Sequence, residues 1–266
     1  MKEREIKCWP EFVGTMSEIK AEITALQKIE GAALNKILYR GQSNSVWQLD
    51  STLERYSKET AHTWSIKEYI GLLSKCAPQI ESFTDQKWDF PNIDWVEGQP
   101  LPCLEFWVHV RHCGFPSPLL DWTESPYIAA YFAFQEKCSD AEKAAIFIYT
   151  EHPRGSKGGW EADPAISVIN ANVKTHKRHY LQQSRYTICG QPSPKGLIFV
   201  PHQKVFDGSY SQQGWQDVLY KINILRSERF NVLSSLSEMN INCFSLFQSE
   251  ESLMASLASK YIDMIP

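Results

Sequence analysis

The segment Arg111-His-Cys-Gly-Phe-Pro-Ser-Pro-Leu-Leu-Asp-Trp-Thr-Glu-Ser-Pro-Tyr-Ile-Ala-Ala-Tyr-Phe-Ala-Phe134 leaves the backbone few local choices. Gly114 and Pro116 stop a preceding helical pattern, and Pro118 pushes Ser117 toward extended geometry, so a short strand is expected through Leu119 and Leu120. Thr123 or Ser125 can cap the helix that follows. With Ser125 as the cap, Pro126 falls at the first helical position, where its missing N–H leaves nothing unsatisfied. Tyr127, Ala130, Tyr131 and Phe134 recur at helical spacing, and Ile128 and Phe132 widen the apolar face, which predicts a buried helix. Asp121 and Thr123 are thereby expected at a strand-to-helix turn on a rigid base, where polar groups are often held toward a ligand.

The remaining segments sort into helices early and strands late. Ile19, Ile23, Leu26 and Ile29 share one face over residues 16–30 and predict an opening helix capped by Ser17, the packing element of an N-terminal helical segment 1–34 set on the domain. Lys36 to Gly41 reads as a strand whose alternation puts Tyr39 opposite Arg40 and Arg40 on the face of Leu38. Arg40 has two readings there, a pair with Asp50 or Glu54 and a ligand contact. Ser65 to Phe83 predicts a helix, and residues 84–102 a long loop in which Trp88 and Trp95 either anchor the loop or line a cleft. Cys103 to His112 resumes helical spacing. Ala144 to Tyr149 is expected as an interior strand, followed by a basic, flexible loop over 153–159. Strands are also expected over Ile166–Ile169, around His179–Ile188, over Gly196–Val200 and over Val218–Ile224. In the second of these, alternation would put Gln182, Ser184 and Tyr186 on one side. The last forty residues read as helix, a short strand over Ile241–Phe247 and a closing helix from Glu250. With no regular β-α-β repeat, the expected class is α+β with a mostly antiparallel central sheet flanked by helices.

Composition narrows the chemistry. The net charge of −4, from 27 basic and 31 acidic residues, gives no sequence-wide reason to expect a nucleic-acid backbone as a bulk partner. At 266 residues and 43% hydrophobic, one globular unit over 35–266 is expected to hold the core. Seven cysteines, with no close pair, predict reduced, mostly buried thiols. No stretch reaches eighteen apolar residues and the first residues lead to no signal-length run, so a cytoplasmic protein without membrane contact is expected. His109 and His112 are three apart, as are His176 and His179, but neither pair has a third ligand in pattern, so no metal is expected and His112 is read as a hydrogen-bonded imidazole. A Gly-x-Gly-x-x-Gly turn, a phosphate loop ending in Gly-Lys-Ser and a Gly-x-Ser-x-Gly elbow are all missing, which removes the anchors of three common chemistries.

Three motifs, taken together, resemble the FRG-domain family. The first is Tyr39-Arg40-Gly41-Gln42, continued by Trp47-x-Leu49-x-x-Thr52-Leu53-x-Arg55. The second runs from His112-x-Gly114-x-Pro116-Ser117 through Leu119-Leu120-Asp121-Trp122-Thr123 to Pro126 and Ala130-Tyr131-Phe132-Ala133. The third is Arg178-x-x-x-Gln182-Gln183-Ser184-x-Tyr186-Thr187, and Ile222 to Leu257 resembles the family's closing strand–helix–strand–helix. The family commonly has Arg where this chain has Pro118 and Gly where it has Ser184. Losing a guanidinium removes five fixed donors, so either the ligand geometry differs or Arg111 or Arg178 substitutes.

What the resemblance implies is an ADP-ribosyltransferase-like fold with NAD as substrate, in an effector of the bacterial toxin or phage-defence type. Arg40, Asp121, Thr123 and Gln182 would be the reacting set, with Tyr39, Gly41, Gln42, His112, Trp122, Gln183 and Tyr186 around the nucleotide. A guanidinium clamps a pyrophosphate bidentately, and a hydroxyl orients the nicotinamide ribose. A Gln can only hydrogen-bond the sugar as oxocarbenium character builds, so Asp121 or Glu124 would have to supply charge. The partners implied are NAD, a protein or nucleic-acid acceptor, and a neutralising or activating protein. Two other readings stay open: a non-catalytic ligand- or protein-binding module using the same cleft, and a metal-dependent nucleic-acid enzyme with Asp121 and Glu124 as ligands.

Overall fold

An apolar sheet face must be covered, and here two strands apolar on both faces, 143–150 and 218–225, set where the covering must go. The computed structural model describes residues 1–27, 36–89, 100–137, 140–155, 163–169, 177–206 and 217–263. In chain order the elements are β1 (Lys2–Ile6), α1 (Glu11–Gln27), β2 (Leu38–Gln42), α2 (Thr52–Thr60), α3 (Ile66–Thr84), α4 (Leu104–His112), β3 (Leu120–Thr123) and α5 (Pro126–Phe134). They continue as β4 (Lys143–Thr150), β5 (Ala165–Ile169), α6 (Lys177–Leu181), β6 (Ser184–Ser193), β7 (Gly196–Phe199), β8 (Val218–Leu225), α7 (Arg229–Glu238), α8 (Cys243–Phe247) and α9 (Glu250–Ala258).

The eight strands form one sheet in the order β1-β8-β4-β2-β3-β6-β5, with β7 paired to β6. Every pairing is antiparallel except β1 with β8. The class is therefore mixed α+β, a mostly antiparallel sheet flanked by helices. Ile146, Ile148, Tyr220, Ile222 and Ile224 bury one face against α1, α5 and α7. Leu38, Phe147, Tyr149, Leu120 and Trp122 bury the other beside Leu49, Val200 and Val205. Helices α3 and α4 add a further cluster over Tyr186, Ile188 and Phe199.

Helix α5 forms as its sequence predicts: Ser125 caps it by accepting from the Ile128 N–H, and Pro126 starts it. Ser65 likewise caps α3 in a reciprocal box with Glu68. Four expectations need correction. The opening helix begins at Glu11, not at a Ser17 cap, and the Ser17 hydroxyl instead donates to the Val13 carbonyl inside the helix. The leading charged residues form a strand, because the free edge of β8 offers them a ladder and Lys2 and Arg4 reach Glu22. Residues 177–181 are helical and Gln183 takes φ +48°, so strand β6 starts only at Ser184. Residues 243–247 are a helix rather than a strand, since Asn242 and Ser245 cap each other's backbone N–H groups.

Trp95, His176, Cys138, Ile29 and most of the 153–159 loop lie outside the described residues. Trp88 packs on Phe106, at 4.8 Å between ring centroids. The described cysteines are free thiols. Among the described residues no helix is long and apolar enough to cross a membrane, and no His, Cys, Asp and Glu group forms a metal cluster.

Candidate active site

Strand β2 pairs with β4 over five residues but meets β3 at one register pair, Tyr39 with Thr123. Beyond that pair the strands diverge and the sheet splits. A cleft of about 660 Å³ opens at the split, a size suited to a nucleotide-scale ligand. Its lining includes Tyr39, Arg40, Gly41, Gln42, Trp47, Asp50 and Arg55 from β2 and the segment after it, and Arg111, His112, Asp121, Trp122 and Thr123 from α4 and β3. Phe132, Gln135, Glu136, Gln182, Ser184 and Phe247 complete it.

Arg40 bridges the split. Its Nη1 donates to the Asp121 carbonyl at 2.8 Å, satisfying a backbone acceptor that the missing β2–β3 ladder leaves open. Its Nε is buried and has no partner. Burial lowers its pKa to about 10, partly offset by the charge of Asp121, so the guanidinium stays protonated at neutral pH at an energetic cost. It pairs with neither Asp50 nor Glu54: Asp50 takes Lys58, and Glu54 accepts from the Ser51 N–H. Arg55 reaches the Asp50 carbonyl at 3.1 Å. Among the described residues no ion pair neutralises Arg40 or Arg55.

Asp121 is held by Arg111 through one carboxylate oxygen, while its Oδ1 is buried and unpartnered, as is the Arg111 Nε. Arg111 was one of two bases expected to stand in for the family's Arg at position 118. The other, Arg178, lies over the Phe247 ring at 5.3 Å, beside the cleft wall. The Thr123 hydroxyl accepts from the Ser125 N–H at 3.1 Å, fixing it at the turn into α5. Gln182 donates from Nε2 to the Leu246 carbonyl at 3.2 Å, which leaves its Oε1 as the acceptor.

Arg40, Asp121, Thr123 and Gln182 therefore share one cleft with Tyr39, Gly41, Gln42, His112 and Trp122. Gln183 and Tyr186 are not among its lining. Gln183 gives its carbonyl to the Glu124 N–H. Tyr186 is fully buried, with its hydroxyl between His112 Nε2 at 2.9 Å and His179 Nδ1 at 3.1 Å. It holds His112 from behind, and burial pushes its phenol far up. Gly41 has a packing reason of its own, since a Cβ there would lie 1.9 Å from the Ala129 carbonyl of α5.

Under the Trp122 side, the indole Nε1 donates to Thr187 Oγ1 at 2.8 Å, and that hydroxyl meets His202 Nε2 at 2.8 Å. The Thr187 hydroxyl has one proton and two lone pairs, so it accepts from the indole and shares a second hydrogen bond with Nε2. Burial first, and the Arg40 charge second, depress the His202 pKa to about 3. Glu124 lies outside the lining, between Lys36 and Arg185. Sequence reasoning missed Glu136, Phe132 and Phe247. Glu136 follows α5 directly, and no local pattern marks it as facing a cleft.

The structure is thus an α+β domain whose split sheet opens a cleft lined by guanidiniums. Residues 35–142 match the model of the FRG domain, so this chain carries an FRG domain. The matched range spans β2 to α5 and holds Arg40, His112, Asp121 and Thr123, while Gln182 and the closing helices lie beyond it. No curated protein and no solved structure matches the chain.

Proposed function

We propose that the cleft binds a dinucleotide of the NAD class and that the protein is an ADP-ribosyltransferase-like effector, of the toxin or phage-defence type. The observation that carries this reading is Arg40: a covered guanidinium with a free Nε and, among the described residues, no carboxylate on it, next to Arg55, which has no ion pair among them either. A cation held at that desolvation cost is stabilised by an incoming anion, and a pyrophosphate matches the fork. Aromatic walls from Trp47, Trp122, Phe132 and Phe247 suit flat rings.

In this reading Thr123 orients the nicotinamide ribose and Gln182 Oε1 accepts from a ribose hydroxyl. Asp121 shares the Thr123 face of β3, and its free Oδ1 stabilises the positive charge that develops at the sugar as nicotinamide leaves. The bond broken is the ribose–nicotinamide bond, its electron pair leaves with nicotinamide, and water or an acceptor nucleophile takes the sugar carbon.

Purified protein incubated with NAD should release nicotinamide or label an acceptor, and Asp121→Asn should cut the rate by about 100-fold. Folded protein that neither binds nor turns over NAD, with acceptors present, removes the reading. A second reading, a non-catalytic module using the same cleft, is favoured by Arg111 already sitting on Asp121. Tight binding without nicotinamide release distinguishes it. The metal-dependent reading lacks such support, since Asp121 and Glu124 are each held by cations.

A further inference from the structure

Resting on the dinucleotide reading above, we infer that the end of the cleft built by residues 42–50 is a base pocket that takes adenine by its exocyclic amine. Two wall residues present buried oxygen acceptors with no donor among the described residues. Gln42 is 6% exposed and gives its Nε2 to the Gln48 carbonyl at 3.1 Å, so the amide orientation is set and Oε1 is the orphan. Asp50 is 8% exposed; Lys58 occupies its Oδ2, and Oδ1 is buried without a partner. Both residues line the cleft, and Trp47, 50% exposed, offers a flat apolar face in the same wall.

Unpartnered buried acceptors select a ligand group that carries two N–H bonds. An aromatic amine does so on a flat ring that the indole can stack. A phosphate or a ring oxo group would set oxygen against oxygen, so the phosphates belong nearer Arg40 and Arg55. A dinucleotide offers two amines, on adenine and on the nicotinamide carboxamide, and position decides between them. Thr123 is level with Tyr39, and Gln42 lies three residues further along β2, roughly 10 Å away at strand rise. The acceptor end is thus remote from the scissile ribose, which places adenine there and nicotinamide toward Thr123 and Gln182.

The test is calorimetric titration of the full chain with ADP-ribose, whose one amine is on adenine, and with its hypoxanthine counterpart. The hypoxanthine ligand should bind at least about tenfold more weakly. Gln42→Met should bring the two affinities to within about threefold of each other, and Trp47→Ala should weaken both together. Should circular dichroism show Gln42→Met unfolded, Asp50→Asn replaces it, because its rotated amide can donate to a ring oxygen. Equal binding of the two ligands by the unmodified protein overturns the inference while leaving the dinucleotide reading standing; absence of binding by either overturns both. A preference that survives unchanged in the folded Gln42 or Asp50 variant also overturns it.

Discussion

Strand β2 has two borders, and they are built for different ends. Toward β4 it forms five register pairs, and β4 forms eight more with β8, with apolar side chains on both faces. Toward β3 it forms one pair and then parts, and the gap is spanned by the Arg40 side chain instead of a ladder. The continuous border holds the core together. The broken border exposes polar groups that a continued sheet would have consumed, so the same strand supplies stability on one edge and lines a cleft on the other.

Gly41→Ala should break the comparison outright, because the added carbon meets the α5 backbone at 1.9 Å and no side-chain motion relieves it. A loss of about 3 kcal/mol or more is expected, seen as a collapsed melting transition or failure to fold. Next in size, Ile148→Ala on the continuous border removes a fully buried side chain between β2 and β8 and should cost about 2–5 kcal/mol in denaturant unfolding, with cleft binding retained in the folded fraction.

The acid response is smaller and sharpens the contrast. His202 has a folded pKa of about 3 against an ordinary 6.5, so its contribution is intact above pH 6.5 and is lost as pH falls toward 3. The expected slope is about 1.4 kcal/mol per pH unit. Glu54 opposes this: burial raises it to about 7 from 4.5, so its contribution is complete below pH 4.5 and is lost as pH rises toward 7. The His202 effect therefore emerges below pH 4.5. His202→Gln, which keeps a hydrogen-bonding partner for Thr187, should remove that part of the slope in urea titrations taken from pH 4.5 to 3.5.

The smallest stability effect is expected at the broken border. Arg40→Met removes a buried charge and leaves one carbonyl unpaired, two changes that offset to within about 1 kcal/mol. Binding of ADP-ribose should nonetheless fall by about 100-fold, and the His202 pKa should rise in an NMR titration because the Arg40 charge no longer depresses it. A large loss of stability with unchanged binding would reverse the assignment of the two borders.

Local chemistry was readable at several points where neighbours in sequence are neighbours in space, although the Asn242–Ser245 cap, equally local, was read as part of a strand. Ser125-Pro126 and Ser65-x-x-Glu68 announce their helices because a cap is satisfied within four residues. Reading failed where a distant partner decided the outcome. Lys2–Ile6 has no strand composition and becomes one on the free edge of β8, more than two hundred residues away. Gln182 and Gln183 read as strand residues and fall in the turn before β6, where Gln183 takes a left-handed conformation. The triplet around Arg40 and the turn through Asp121 and Thr123 were recognisable as site candidates. That Arg111 would occupy Asp121, that Tyr186 would stand behind His112, and that Glu136 would enter the cleft had no local signature.

The sequence by itself determined which segments are apolar enough to cover a sheet and where the Ser65 and Ser125 caps fall, since each depends on interactions a few residues long. Only the tertiary structure decided that β2 and β3 part after one pair. That choice balances a forgone ladder against a guanidinium on β2 reaching across to β3, and its cost and its compensation come from residues about eighty positions apart.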